Sequence, residues 1–207
     1  MPGEADRRDG PGYPRTIRVR AKVPTPDGLV CDSEGLSVLA DDAAIHGSAD
    51  PSHSLTKVRF ALDVDEDDWP PFATESVWAE PLGGDRFRLN NTPWFARGFS
   101  MSDVVLALPD EDDILWVREP VEHGGRLTVR VIPLPDGPLA GSCDAVINAF
   151  TPLGVDAEGA EPAFPIVALD IPGDADFGAI LRLLRDGEAD GRWAFEEGLI
   201  TDAWRAL

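Results

Sequence analysis

The sequence predicts an α+β protein with two modules in series, a small curved β-barrel-like module and then a mixed βαββαβ module. Three observations carry this. Between Lys57 and Pro120, short runs of alternating apolar and polar residues recur with turn residues between them. Between Phe177 and Leu184, the apolar residues instead fall on one helical face. Six tryptophans in a chain that is 43% hydrophobic supply bulk for a real core.

Residues 1–15 read as a disordered leader, because Pro2, Gly3, Gly10, Pro11, Gly12 and Pro14 break any regular structure. Residues 16–56 read as an N-terminal elaboration with one strand. Ile17, Val19, Ala21 and Val23 share one face of that strand, and Arg18, Arg20 and Lys22 share the other. The stretch after it is turn-rich, with short apolar pieces at Leu29-Val30 and Leu36–Leu39.

The barrel-like module is expected over residues 57–120. Val58, Phe60, Leu62 and Val64 alternate as its first strand. Ser76–Leu82 and Arg86–Leu89 flank a hairpin signal at Gly83-Gly84-Asp85. Val104–Leu108 and Ile114–Val117 follow, joined by the acidic turn from Asp110 to Asp113. Trp78 has the bulk to fill the inside of such a sheet.

The second module is expected over residues 121–207. Leu127–Leu134 is a strand, and Ser142 can cap a helix running to Phe150. A hairpin-like stretch places Gly159 near its turn and Ile166–Ile171 as its second strand. Asp174 or Asp176 caps the clearest helix, and Gly187 is expected to end it. Arg192–Phe195 is the last strand. The order βαββαβ is that of a ferredoxin-like unit.

Composition narrows the function. The net charge is −20 and uneven: residues 1–22 are near +3 and the remainder near −23. Such a field repels nucleic acid and anionic lipid and favours a basic protein partner. No apolar run is long enough to cross a membrane as a helix, and the N-terminus lacks the apolar core of a secretory signal. Cys31 and Cys143 have no metal or redox spacing, so a reduced, cytoplasmic setting is the expectation and each reads as a small buried hydrophobe.

Few motifs carry chemistry. Asp63, Asp65 and Asp67 have the spacing of a calcium loop, but Asp68 stands where that loop needs glycine and Thr74 where it needs a bidentate glutamate. His46, His53 and His123 are scattered, so no zinc site is expected. Hydrolase elbows and nucleotide-binding glycine loops are missing. No cofactor is expected, and the missing motifs weigh against an enzyme.

Two places stand out. Asn91, Trp94, Phe95 and Arg97 share one loop, and aromatic residues with arginine are the usual substance of binding hot spots. The bland alternative is that Trp94 and Phe95 plug the barrel end. Glu75 and His123 form a second, polar candidate; Glu75 directly follows a loop and suits a partly buried hydrogen-bond acceptor.

The runs Glu75–Glu80, Asn91–Phe95 with Gly98, and Ser102–Val105 resemble a bacterial family, domain of unknown function 4265. Trp193–Glu197 is similar to its closing segment, so the resemblance spans roughly Lys57 to Leu199. The chain departs at Glu122-His123-Gly124-Gly125, where relatives tend to carry a Ser-Gly-His-like turn. The resemblance implies domain limits and a bacterial source, and no activity.

The reading that follows is an acidic intracellular protein-binding protein, of the inhibitor or immunity type, for a basic partner. The alternative is an enzyme or biosynthetic accessory with a site between the modules, in a cleft lined by Glu75, Asn91, Arg97 and His123. A mimic of DNA charge ranks third, because the acids cluster in turns and form no stripe.

Overall fold

The computed structural model describes residues 54–66, 69–160 and 165–207. The expected leader and the expected strand at Thr16–Val23 lie outside the described residues, as do Cys31 and Asp67.

Five strands close into a barrel: β1 (Thr56–Ala61), β2 (Thr74–Gly83), β3 (Arg86–Leu89), β4 (Val104–Pro109) and β5 (Leu115–Glu122). Each runs antiparallel to the next. An odd number of strands cannot close antiparallel, so β5 meets β1 in parallel, at Arg59 and Trp116. The hairpin between β2 and β3 forms at the expected glycines. Gly83, Gly84 and Asp85 all have positive φ, a run that needs glycine at its start.

Val58, Phe60, Val77, Ala79, Phe87, Leu89, Val105 and Ala107 fill the inside. Trp78 does not, contrary to the sequence expectation. Val77 and Ala79 point inward, so the strand period of two puts Trp78 on the outer wall, 38% exposed. Alanine at two inner positions shows how little room so small a barrel has.

The second module holds β6 (Leu127–Pro133), α1 (Cys143–Phe150), a 3₁₀ turn at Thr151–Leu153, β7 (Asp156–Ala160), β8 (Ile166–Ile171), α2 (Phe177–Ala189), β9 (Trp193–Leu199) and a short α3 (Asp202–Arg205). Its sheet has the order β7-β8-β6-β9, and every neighbouring pair is antiparallel. Val146 and Phe150 of α1 share one core with Ile180, Leu181 and Leu184 of α2 and with inward residues of the sheet. Both helices therefore cover the same face.

The caps are those the sequence offered. Ser142 Oγ accepts from the Ala145 N–H at 3.2 Å, and Asp176 Oδ1 accepts from the Ala179 N–H at 2.9 Å. Two glycines sit where a side chain would collide; Gly159 lies near the hairpin turn as expected, whereas Gly187 does not end its helix. Gly159 lies inside β7, where a side chain would stand 3.0 Å from Cys143 Cβ. Gly187 lies inside α2, which continues to Ala189; a Cβ there would sit 2.0 Å from the Trp193 ring. That indole also donates to the Leu184 carbonyl at 3.0 Å. The strand expected at Arg192–Phe195 runs on to Leu199, and α3 carries no clear sequence signal.

The opposite face of this sheet is polar: Thr128, Arg130 and Asp170 are buried on it. They are buried by the barrel, whose loop over residues 90–103 lies across them. This seam brings Glu75, Asn91, Trp94 and Phe95 to one pocket.

The inside-out assignment of the two tryptophans is testable by urea denaturation. Trp193→Ala should cost about 3–5 kcal/mol as a large-to-small core change. Trp78→Ala should cost less than about 1 kcal/mol, as a surface change. Equal losses would contradict the assignment.

Candidate functional site

One carboxylate shapes the loop. Glu75 Oε1 accepts from the Trp94 N–H at 2.6 Å, and Oε2 accepts from the N–H groups of Phe95 and Ala96 at 2.9 and 2.8 Å. Three successive backbone donors on one ionised acceptor fix the turn. Asn91 Oδ1 accepts from the Trp78 N–H at 2.8 Å, tying the start of the loop to β2. Phe95 is buried, edge-on to Trp69 and Phe72. Its ring faces the protein.

The far end of the loop grips the second module. Arg97 Nε donates to Glu196 Oε1 at 3.1 Å, and the Gly98 N–H donates to the Gly198 carbonyl at 3.0 Å. Arg130 Nη1 donates to the same Glu196 oxygen at 2.7 Å, while Nη2 donates to the Ala96 carbonyl at 2.6 Å. Burial pushes Arg130 below the ordinary arginine pKa, and Glu196 and Glu75 oppose that shift. Ser100 Oγ donates to the Arg126 carbonyl at 3.0 Å and accepts from Thr128 Oγ1 at 3.1 Å.

His123 sits at a separate corner. Asp103 Oδ2 accepts from the Ser100 N–H at 2.8 Å, and Oδ1 accepts from the Gly124 N–H at 2.7 Å. The same Oδ1 lies 2.7 Å from His123 Nδ1, whose side chain is 41% exposed. The carboxylate makes Nδ1 the donor, which leaves Nε2 as the acceptor of the neutral ring. Gly124 rests directly on Ser102; a Cβ there would stand 2.5 Å from the Ser102 carbonyl carbon.

Two adjoining pockets line the seam and share Glu158. The smaller, about 40 Å³, has Glu75, Asn91, Trp94 and Phe95 in its wall together with Lys57 and Trp78. The larger, about 210 Å³, lies between Asn90, Thr92 and Met101 of the barrel loop and Asp156, Glu158 and Asp170 of the sheet. Arg126 is the cation facing those acids. It holds Asp170 through Nε and Nη2, each at 2.6 Å, and reaches Asp156 at 3.9 Å. Glu158 is exposed as a residue, yet loss of water around its carboxyl, and next the charge of Asp170, push its pKa above the ordinary glutamate value.

A family model described as Domain of unknown function (DUF4265) matches residues 75–195, more than half of the chain. The chain belongs to the DUF4265 family. No curated protein matches it. Among solved structures it is similar to a hypothetical protein from Neisseria gonorrhoeae, with a TM-score of 0.58 and 15% identity over 72% of this chain and 97% of that one. At that identity the likeness shows the fold alone. The DUF4265 span opens on Glu75 itself and takes in the loop, Arg126, Arg130 and the acids of the seam.

Of the residues singled out from sequence, Glu75, Asn91, Trp94 and Phe95 meet at one pocket. Arg97 and His123 do not join them; Arg97 is drawn to Glu196 and His123 to Asp103. Sequence reasoning passed over Asp170, Arg126, Arg130 and Glu158. A signal existed for two of them: Arg130 and Asp170 each interrupt an apolar strand. A charge inside such a run is costly unless a partner waits for it.

Glu75→Ala should destabilise the DUF4265 module by about 3 kcal/mol or more in urea, since three backbone donors lose a charged acceptor. Glu158 sets a pH dependence. Its folded-state pKa is raised, so the folded state holds its proton more tightly and stability falls as pH rises through the glutamate range. Glu158→Gln should therefore raise the melting temperature at neutral pH and leave it unchanged in acid, below the ordinary glutamate pKa. A variant with the same effect at both pH values would show that Glu158 is not strained.

Proposed function

We propose that this protein is an acidic protein-binding protein that receives a basic segment of its partner in the groove between its two modules, in the manner of an inhibitor or immunity protein. The carrying observation is the larger pocket of the seam, lined by Asp156, Glu158 and Asp170, of which Arg126 pairs with Asp156 and Asp170. A lysine or arginine brought in by a partner would relieve the strain on Glu158 and gain a partly dehydrated ion pair. The net charge of −20 would steer such a partner from a distance. We read the setting as cytoplasmic on the spacing of the two cysteines. We read the second module as ferredoxin-like; its support is the βαββαβ order, the strand order β7-β8-β6-β9 and the helices on one face.

A second reading is an enzyme or biosynthetic accessory acting at the junction. One observation favours it: Asp103 holds His123 by Nδ1 and leaves Nε2 toward solvent, the arrangement of an oriented general base. Under this reading His123→Gln abolishes activity while stability is kept.

The groove is tested by fluorescence anisotropy with a labelled hexalysine peptide. Asp156→Asn with Glu158→Gln should weaken binding about tenfold, as loss of a close ion pair does. Asp112→Asn with Asp113→Asn, in the distant β4–β5 turn, removes the same charge and should change little. Equal weakening by both pairs would leave only a diffuse field and overturn the groove.

A further inference from the structure

The sheet of the second module has two edges, and they are finished differently. At β9 the barrel loop makes contact, through the bond from the Gly98 N–H to the Gly198 carbonyl. β7 has β8 on one side and no strand on the other among the described residues. No backbone hydrogen bond reaches β7 from outside the sheet among those residues. A strand offers its N–H and C=O groups to its two sides in turn, so part of the β7 backbone is left facing away from the sheet. The usual guards of an edge are missing: β7 holds no proline or lysine, and it pairs with β8 from Asp156 to Ala160 without a bulge. Its guard is charge. Asp156 and Glu158 stand opposite Asp170 and Ala168, on the face that lines the larger pocket. Ala157 and Gly159 turn the other way, toward the core under α1. Lys57 shares the wall of the smaller pocket with Glu158 but forms no ion pair with it; its ammonium lies 4.8 Å from the Trp78 ring centre.

We propose that β7 is a strand-addition site: an extended segment of a partner protein, with lysine or arginine at alternate positions, pairs with its open edge and extends the four-stranded sheet. This rests on the reading of the groove as the receiver of a basic segment, and it states how that segment is held. The period of a strand decides the occupant. Residues two apart on an added strand turn to the same face, so cations at alternate positions stand beside Asp156 and Glu158. Opposite charges across a strand pair stabilise it, and like charges weaken it. A second copy pairing β7 with β7 about a two-fold axis would set carboxylates against carboxylates. An acidic segment would also have to approach against the field of a chain of net charge −20. Backbone bonds to the edge supply affinity here, and the alternate side chains supply the choice of partner.

The test uses the full chain and a peptide of alternating threonine and lysine in three versions. One is unmodified, one has its threonine backbone nitrogens methylated, and one its lysine backbone nitrogens. In an added strand only one of the two sets donates to β7, so one methylated peptide should bind at least about tenfold more weakly than the other. The unmodified peptide should also slow hydrogen exchange, followed by NMR, at those β7 amides that are not bonded to β8, by about tenfold or more. Equal responses to the two methylated peptides, or unchanged exchange in β7, overturn the strand addition; the groove reading then survives if the unmodified peptide still binds. Failure of the unmodified peptide to bind overturns both. Protection of those amides that appears without peptide and grows with protein concentration also overturns the proposal, in favour of a second copy.

Discussion

The buried guanidinium of Arg130 is the constraint around which the two modules are arranged. A charge taken out of water costs several kcal/mol unless its surroundings answer it. Glu196 answers from the neighbouring strand, and the Ala96 carbonyl answers from the barrel loop. The second answer exists only because Glu75 gathers the N–H groups of residues 94–96 and so turns that carbonyl toward the sheet. Gly198 makes the space: a Cβ there would stand 3.0 Å from the guanidinium. Barrel, loop and sheet therefore share one charged centre, and the geometry of the seam follows from it.

The same seam explains why a groove is left open. The loop satisfies the middle of the sheet's polar face, at Thr128 and Arg130. Toward the edge at β7 it stands off from the sheet, and Asn90, Thr92 and Met101 face Asp156 and Glu158 across the larger pocket. Asp170 is settled by Arg126, but that arginine is already committed to two short bonds. The unfavourable position of Glu158 is thus a by-product of covering the sheet from one side, and an incoming cation is its natural remedy.

Much of the fold was legible because strands and helices announce themselves by period, and caps by residue type. Ser142 and Asp176 did so, as did the Gly83-Gly84 turn. Failures came where the period is silent about direction. Alternation placed Trp78 and Val77 on opposite faces, yet bulk suggested that the tryptophan was inside; the narrow barrel chose the smaller residues. Gly187 looked like a helix end because glycine usually is one, whereas its place is set by a ring from a distant strand. Of the candidate site, the loop residues and Glu75 were each visible from sequence, but as two separate candidates, with Glu75 grouped with His123 and not with Trp94 and Phe95. The acids of the groove were not, since Asp156, Glu158 and Asp170 meet only through the pairing of β7 with β8.

The odd strand count has a mechanical meaning. Four of the barrel's junctions are hairpins or close neighbours in sequence, and each can zip locally. The fifth joins Arg59 to Trp116, residues far apart along the chain, through a parallel pairing recorded at a single position. Closing it requires the longest loop in the module to surrender its entropy, which makes it the costliest of the five joins in chain freedom. It is also the line along which the cylinder would first unroll, into a flat meander with β1 and β5 as its free margins. Arg59, lying against Trp116 across that line, acts as the clasp.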